Sequence, residues 1–180
     1  MITPQEAEAV LATADQLYTL SDIEQALDRM AGAISARLAT ENPLILCVLN
    51  GALIPMGYLL TRLNFPLRHD YVHATRYRGE ISGKTLEWIS KPGVSLKDET
   101  VLIVDDILDE GVTLAEIVKA CREAEAKAVY TAVLVEKRHQ RGNGFMADFV
   151  GLEVDDRYVF GFGMDYKGYL RNLAGIFAVK

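Results

Sequence analysis

Three aspartates, Asp105, Asp106 and Asp109, follow an apolar run and precede Gly111 and Thr113 in the segment VLIVDDILDEGVTL, residues 101–114. Adjacent carboxylates suit the vicinal hydroxyls of a ribose, bound directly or through Mg²⁺. Asp109, displaced by a few residues, is a candidate base for a proton released nearby. Gly111 permits a backbone conformation or a close approach that a Cβ would block. A helix opening at Thr113 would offer its leading N–H groups and partial positive charge to a phosphate, with the Thr113 hydroxyl as a further donor. The competing reading is an acidic surface turn between a strand and a helix. Ligands bind beyond the carboxyl ends of buried strands in open α/β sheets, and that position favours the chemical reading.

The elements that must deliver these residues can be read from periodicity. The first forty residues have helical spacing. Thr3-Pro4 fits a cap and first-turn pair, and Ser21 to Glu24 has the S-x-x-E form of a capping box. Leu44–Leu49 (LILCVL) is continuously apolar, as a strand buried on both faces should be, and it ends at Asn50-Gly51. A helix is expected over 53–63, strands over 70–75 and 86–90, and a polar, Gly-containing loop over 76–85 between them. A strand over 100–104, a helix over 114–124 and a strand over 128–135 make a strand–helix–strand unit, which implies a parallel sheet covered by helices. From residue 148 onward, short apolar runs alternate with Gly and aromatics and should add edge strands.

With 180 residues, the chain fits one α/β domain and can bury a core without staples. No apolar run reaches the ~18 residues of a membrane span, and the first residues lack the pattern of a secretory signal. Cys47 and Cys121 show no metal spacing, so two unpaired thiols in a reducing cytoplasm are expected. A net charge of −6 argues against sequence-independent nucleic-acid binding. His69, His73 and His139 form no metal pattern and read as structural or surface residues, and Trp88 reads as packing beneath the 76–85 loop.

The segment 101–113 resembles the PRPP-binding signature of type I phosphoribosyltransferases: four apolar residues, two acids, two apolar residues, then D-x-G-x-T. Other segments resemble the hypoxanthine–guanine branch of that family in the right order. They are LNGA at 49–52, VEKR at 135–138 and DFVGLEVDDRYVFGFGMDY at 148–166. The resemblance implies a parallel sheet flanked by helices, with a small hood formed from N- and C-terminal segments. It implies one domain over 1–180, with a core over about 40–150 and a hood from 151–180 plus the N-terminal helices. It also implies transfer of the phosphoribosyl group of PRPP to hypoxanthine or guanine, with Mg²⁺ as cofactor and a homodimer or homotetramer as the assembly.

Carried over residue by residue, Asp105, Asp106, Ile107, Asp109, Glu110, Gly111, Val112 and Thr113 would hold the ribose phosphate, with Asp109 the base that takes the proton of purine N7. Leu49, Asn50, Gly51, Arg76, Tyr77 and Arg171 would face the pyrophosphate, the first peptide bond of that loop often being cis in the family. Lys137, Tyr158, Val159, Met164 and Asp165 would meet the base, Lys137 reading its 6-oxo group, Tyr158 stacking on it and Val159 supplying backbone contacts. Asp165, Asp105 and Asp106 would serve the metal. On physical grounds alone, Lys137 reads more readily as a solvated strand-end lysine, its base-reading role resting on the resemblance, and Tyr158 reads equally as an ordinary edge-strand aromatic.

This chain departs from the family pattern at three places. Asn50 stands where Lys is common, Glu110 where the phosphate loop usually has Thr or Ser, and Arg76 where Ser precedes the loop tyrosine. Two rival readings remain open. A receiver domain would need ~100 or more residues, and only about 75 follow the acid pair. An RNA-binding regulator on the same fold would need a basic face, for which Lys137, Arg138, His139 and Arg141 are the available patch. Xanthine or uracil are the alternative acceptors.

Overall fold

The computed structural model describes residues 2–76, 86–139 and 144–180. Tyr77 and Arg141 lie outside the described residues, as does the 77–85 part of the polar loop. Arg76 is described by its backbone alone.

The fully apolar runs form the middle of a six-stranded sheet. β2 (Leu44–Leu49) pairs in parallel with β3 (Arg68–Arg76) on one side and with β5 (Thr100–Leu108) on the other. β5 pairs in parallel with β6 (Ala128–Arg138), and β6 with β7 (Phe149–Asp155). β4 (Leu86–Ser90) closes the far edge antiparallel to β3, so the order is β4-β3-β2-β5-β6-β7. Ile45, Leu46, Leu102 and Ile103 are wholly buried, which is why their strands carry no alternation of apolar and polar residues.

Helices cover this sheet. α2 (Leu20–Leu38) buries Ile23, Ala26, Leu27, Met30, Ile34 and Leu38 along one stripe and packs against β7. Each larger side chain of that stripe contributes roughly 1.5–3 kcal/mol of hydrophobic stabilisation. α3 (Leu53–Leu60) lies on β2 and β5, and α4 (Val112–Glu123) on β5 and β6. α3 is three residues shorter than the apolar run predicted.

The N-terminal forty residues are not all helix. α1 (Pro4–Thr13) starts as expected, with Thr3 as N-cap in a capping box with Glu6. β1 (Asp15–Thr19) then intervenes, and α2 is capped by Thr19 with Asp22, not by Ser21 with Glu24. β1 belongs to a second, three-stranded sheet, in the order β1-β9-β8, with β8 (Val159–Phe160) and β9 (Gly175–Ala178). The two ends of the chain therefore meet in one small sheet. Of the C-terminal strands, only β7 joins the main sheet, as its parallel edge strand. Among the described residues, no helix is long and apolar enough to cross a membrane.

Candidate active site

β5 is longer than the apolar run that predicted it. Its ladder with β6 continues through Asp105↔Val133, Ile107↔Val135 and Leu108↔Glu136, so the acid pair sits inside the strand and not after it. The chain then turns through Asp109 and Glu110 to Gly111, whose φ of 75° is the left-handed conformation that a Cβ disfavours. Gly111 is the N-cap of α4. It cannot give the helix start the side-chain acceptor that Thr3 and Thr19 give α1 and α2.

A cleft of about 370 Å³ opens at this end of the sheet. Its walls are Leu49, Asn50 and Gly51 from the end of β2, Asp105 to Gly111 and Thr113 from β5 and its loop, and Asp165 and Arg171 from the C-terminal segment. The fold thus joins three separate stretches singled out by their sequence. The Leu49–Asn50 peptide is cis. Gly51 presses against the acid pair so closely that a Cβ there would lie 2.0 Å from Asp106 Oδ2. Gly51→Ala should therefore displace the Asp106 carboxylate. The expected result is weaker binding of a phosphorylated ribose in the cleft with a stability loss of about 1–3 kcal/mol, read by ligand titration and urea denaturation.

The acid pair is electrostatically loaded. Burial, then the neighbouring charge of Asp106, holds the Asp105 carboxyl well above its ordinary value. Burial also raises Asp106, against a hydrogen bond with Asp105 and the attraction of Arg171. Asp105 Oδ1 accepts from the Asp106 N–H and Asp106 Oδ1 from the Ile107 N–H, both at 2.9 Å. Arg171 reaches across with Nη1 3.8 Å from Asp106 Oδ2 and Nη2 2.6 Å from Asp165 Oδ1. It also donates to the Gly163 carbonyl at 2.5 Å, while Asp165 Oδ2 accepts from the Gly168 N–H at 2.7 Å.

Asp105, Asp106 and Asp165 all line this cleft, with Arg171 between Asp106 and Asp165. Among the described residues, no three His, Cys, Asp or Glu side chains form a group that could hold a metal ion. Asp165, which the resemblance assigns to the metal, is held by Arg171 and by the Gly168 N–H. The donor chemistry still fits Mg²⁺ in another way. One or two carboxylates facing a phosphate site are what a magnesium ion carried by a diphosphate requires. Cys47 lies under the pair, and burial, then Asp105 and Asp106, pushes its thiol up to about 12. Both cysteines are free and buried.

Asp109 faces a second, smaller recess together with Glu110, Glu136, Lys137 and His139. Lys137 Nζ donates to Asp109 Oδ2 at 2.8 Å, and His139 Nε2 lies 2.6 Å from Asp109 Oδ1. Burial disfavours the Asp109 charge, but the hydrogen bonds from Lys137 and His139 outweigh it and hold the carboxyl below its ordinary value. The Lys137 side chain is only 12% exposed, so it is not a solvated strand-end lysine. His139, read from the sequence as structural or surface, belongs to the site. Arg138 pairs with Glu153, so much of the basic patch that an RNA-binding reading requires is already engaged with carboxylates.

Three residues expected at the base do not line the cleft. Val159 and Met164 are buried in the core, and Met164 exchanges backbone hydrogen bonds with Gly161. Tyr158 is half exposed and meets Tyr166 edge-on, with ring centroids 5.3 Å apart. Val112 does not line the cleft either, whereas Glu110 borders both recesses. Trp88 packs, half buried, against the core.

Residues 13–167 match the family model described as Phosphoribosyl transferase domain. The chain is 30% identical over 165 residues to the hypoxanthine-guanine phosphoribosyltransferase of Bacillus subtilis, covering 91% of this chain and 92% of that one. It is 30% identical over 161 residues to the enzyme of the same name from Aquifex aeolicus, covering 88% and 90%. The crystal structure of a hypoxanthine phosphoribosyltransferase from Staphylococcus aureus superposes with a TM-score of 0.87 at 26% identity, over 92% of this chain and 91% of that one.

Proposed function

Since the chain belongs to the phosphoribosyltransferase family, in its hypoxanthine-guanine branch, we propose that it salvages purines by transferring the 5-phosphoribosyl group of PRPP to hypoxanthine or guanine. The observation that carries this reading is the adjacency of the acid-pair cleft and the Asp109–Lys137 pair at the end of β5 and β6. A phosphate-and-ribose site thereby opens beside a cation suited to a 6-oxo group.

In the reaction, purine N9 forms its bond to C1′ as the bond from C1′ to the pyrophosphate oxygen breaks, the pyrophosphate leaving with that electron pair. The N7 proton passes to Asp109, which is ionised and sits at the mouth of the recess. The loop from Glu110 to Thr113 receives the 5′-phosphate at the start of α4. Asp105 and Asp106 receive the ribose hydroxyls, which supply hydrogen-bond donors to two buried carboxylates. Leu49, Asn50, Gly51 and Arg171 face the pyrophosphate. Arg171 is already oriented by Asp165, so it can neutralise developing charge without reorganising. Mg²⁺, bound with the diphosphate and held by Asp165 or the acid pair, would stabilise charge on the leaving group.

Residues 1–180 act as a single phosphoribosyltransferase domain, in the cytosol, as a homodimer or homotetramer. The test is pyrophosphate release with PRPP and each of hypoxanthine, guanine, xanthine and uracil. Turnover with the first two supports the proposal. Turnover with uracil alone, or with none of the four, rejects it.

A further inference from the structure

Asp109 is gripped at both oxygens, and only one of the two grips involves a group suited to a purine. Lys137 holds Oδ2 at 2.8 Å and is positioned to exchange that contact for a 6-oxo group. His139 holds Oδ1 at 2.6 Å, with its side chain only 6% exposed. An ionised carboxylate only accepts hydrogen bonds, so His139 must present Nε2–H to it. The two contacts have one cause in the fold. β6 pairs with β5 as far as Leu108↔Glu136, so the residues that follow on β6 run beside the turn that carries Asp109. Lys137 and His139 are two apart, the period that puts side chains on one face of an extended chain.

A single lysine contact would leave the carboxylate free to rotate once the lysine turned to substrate. We propose that His139 is a positioning residue: it donates Nε2–H to Asp109 Oδ1 and so keeps Oδ2 aimed at the purine N7 after Lys137 has moved to the base. This deepens the proposed function and rests on Asp109 being the group that takes the N7 proton. His139 touches no substrate atom in this scheme. Its whole effect passes through the orientation of Asp109, as an outer partner fixes a reacting group.

The test is steady-state kinetics of His139→Ala, His139→Gln, Asp109→Asn and the Asp109→Asn/His139→Ala double variant, with PRPP and hypoxanthine. The alanine variant should lose about 10-fold in kcat, since misplacing a reacting group by about 1 Å can cost up to ~10²-fold. KM for PRPP should stay within about twofold. Glutamine, whose amide N–H can take the place of Nε2–H, should recover most of the loss. The double variant should be no slower than Asp109→Asn, because residues that act as a unit are not additive. Wild-type kcat in His139→Ala overturns the proposal, as does failure of glutamine to recover activity or a further fall in the double variant. Wild-type kcat in Asp109→Asn rejects the base reading itself, and His139's role with it. A slow Asp109→Asn beside a fast His139→Ala rejects His139 alone. Should the alanine variant fail to fold, His139→Phe supplies the bulk without the donor and takes its place in the comparison.

Discussion

Asp109→Asn is expected to lower kcat by about 10²–10⁴-fold, the range typical of removing a positioned general base. The substitution is nearly isosteric, and an amide can still accept from Lys137 through its oxygen. The loss therefore isolates proton transfer. KM for PRPP should change little, because Asn keeps the shape of Asp109 and the acid pair, the start of α4 and Arg171 remain in place in the cleft. The pH dependence follows from the environment of the group. Burial works against the Asp109 charge, yet Lys137 and His139 hold its carboxyl below the ordinary value. The base is thus fully ionised at neutral pH, and activity that depends on it is lost only as pH falls through that depressed value. Stability has the same sign. A carboxylate depressed in the folded state stabilises the protein above its unfolded pKa, and that contribution disappears as pH falls through the folded one. Initial rates and thermal melts across the acid range check both, and near-wild-type turnover of Asp109→Asn would remove Asp109 from the mechanism.

The strands that carry the site were legible in the sequence because they are buried on both faces. LILCVL and TVLIV have no surface to alternate toward, and their apolar runs announce a parallel sheet. The residues at their carboxyl ends were legible for the same reason, since polar chemistry stands out after such a run. β1 was not. Its five residues, DQLYT, lie between two helical patterns with no Gly or Pro to mark a break, and they extend only because β9 pairs with them from the other end of the chain. Non-local pairing of that kind leaves no local trace. The extension of β5 through Asp105 to Leu108 was hidden likewise, because β6 alone draws those residues into the ladder.

His139 was missed for a related reason. Nothing around it in VEKRHQR distinguishes it from a surface histidine, and its partner Asp109 lies thirty residues earlier in the turn after the neighbouring strand. A one-dimensional signal did exist, though a weak one. The spacing of two between Lys137 and His139 at the end of a strand puts two hydrogen-bond donors on one face. Val159 and Met164, assigned to the base by the resemblance, show the opposite pattern, with buried side chains. They lie in a stretch rich in apolar residues, and both side chains join the buried core.

Lys137→Ala is expected to cost about 10²-fold in kcat/KM for hypoxanthine and guanine, the scale of a lost charge-assisted hydrogen bond of up to ~3 kcal/mol. Two effects compete in this variant. Removing Lys137 also removes one of the two contacts that hold the Asp109 carboxyl low, so that carboxyl should rise and become the stronger base. That gain is limited to the share of the depression Lys137 provides, and His139 still holds the other oxygen. The loss of recognition wins because the Lys137 side chain is only 12% exposed, so little water stands ready to replace its contact to the 6-oxo group. Discrimination should move with it. An ammonium donates and never accepts, so it pairs with a 6-oxo group and is left unpaired against a 6-amino group. Without it, the preference for hypoxanthine over adenine should narrow mainly because hypoxanthine loses rate. Lys137→Gln tests the cause: its amide can donate through nitrogen or accept through oxygen, so it should restore part of the hypoxanthine rate without restoring the discrimination. Unchanged kcat/KM ratios for hypoxanthine against adenine in both variants would mean that Lys137 serves Asp109 and does not read the base.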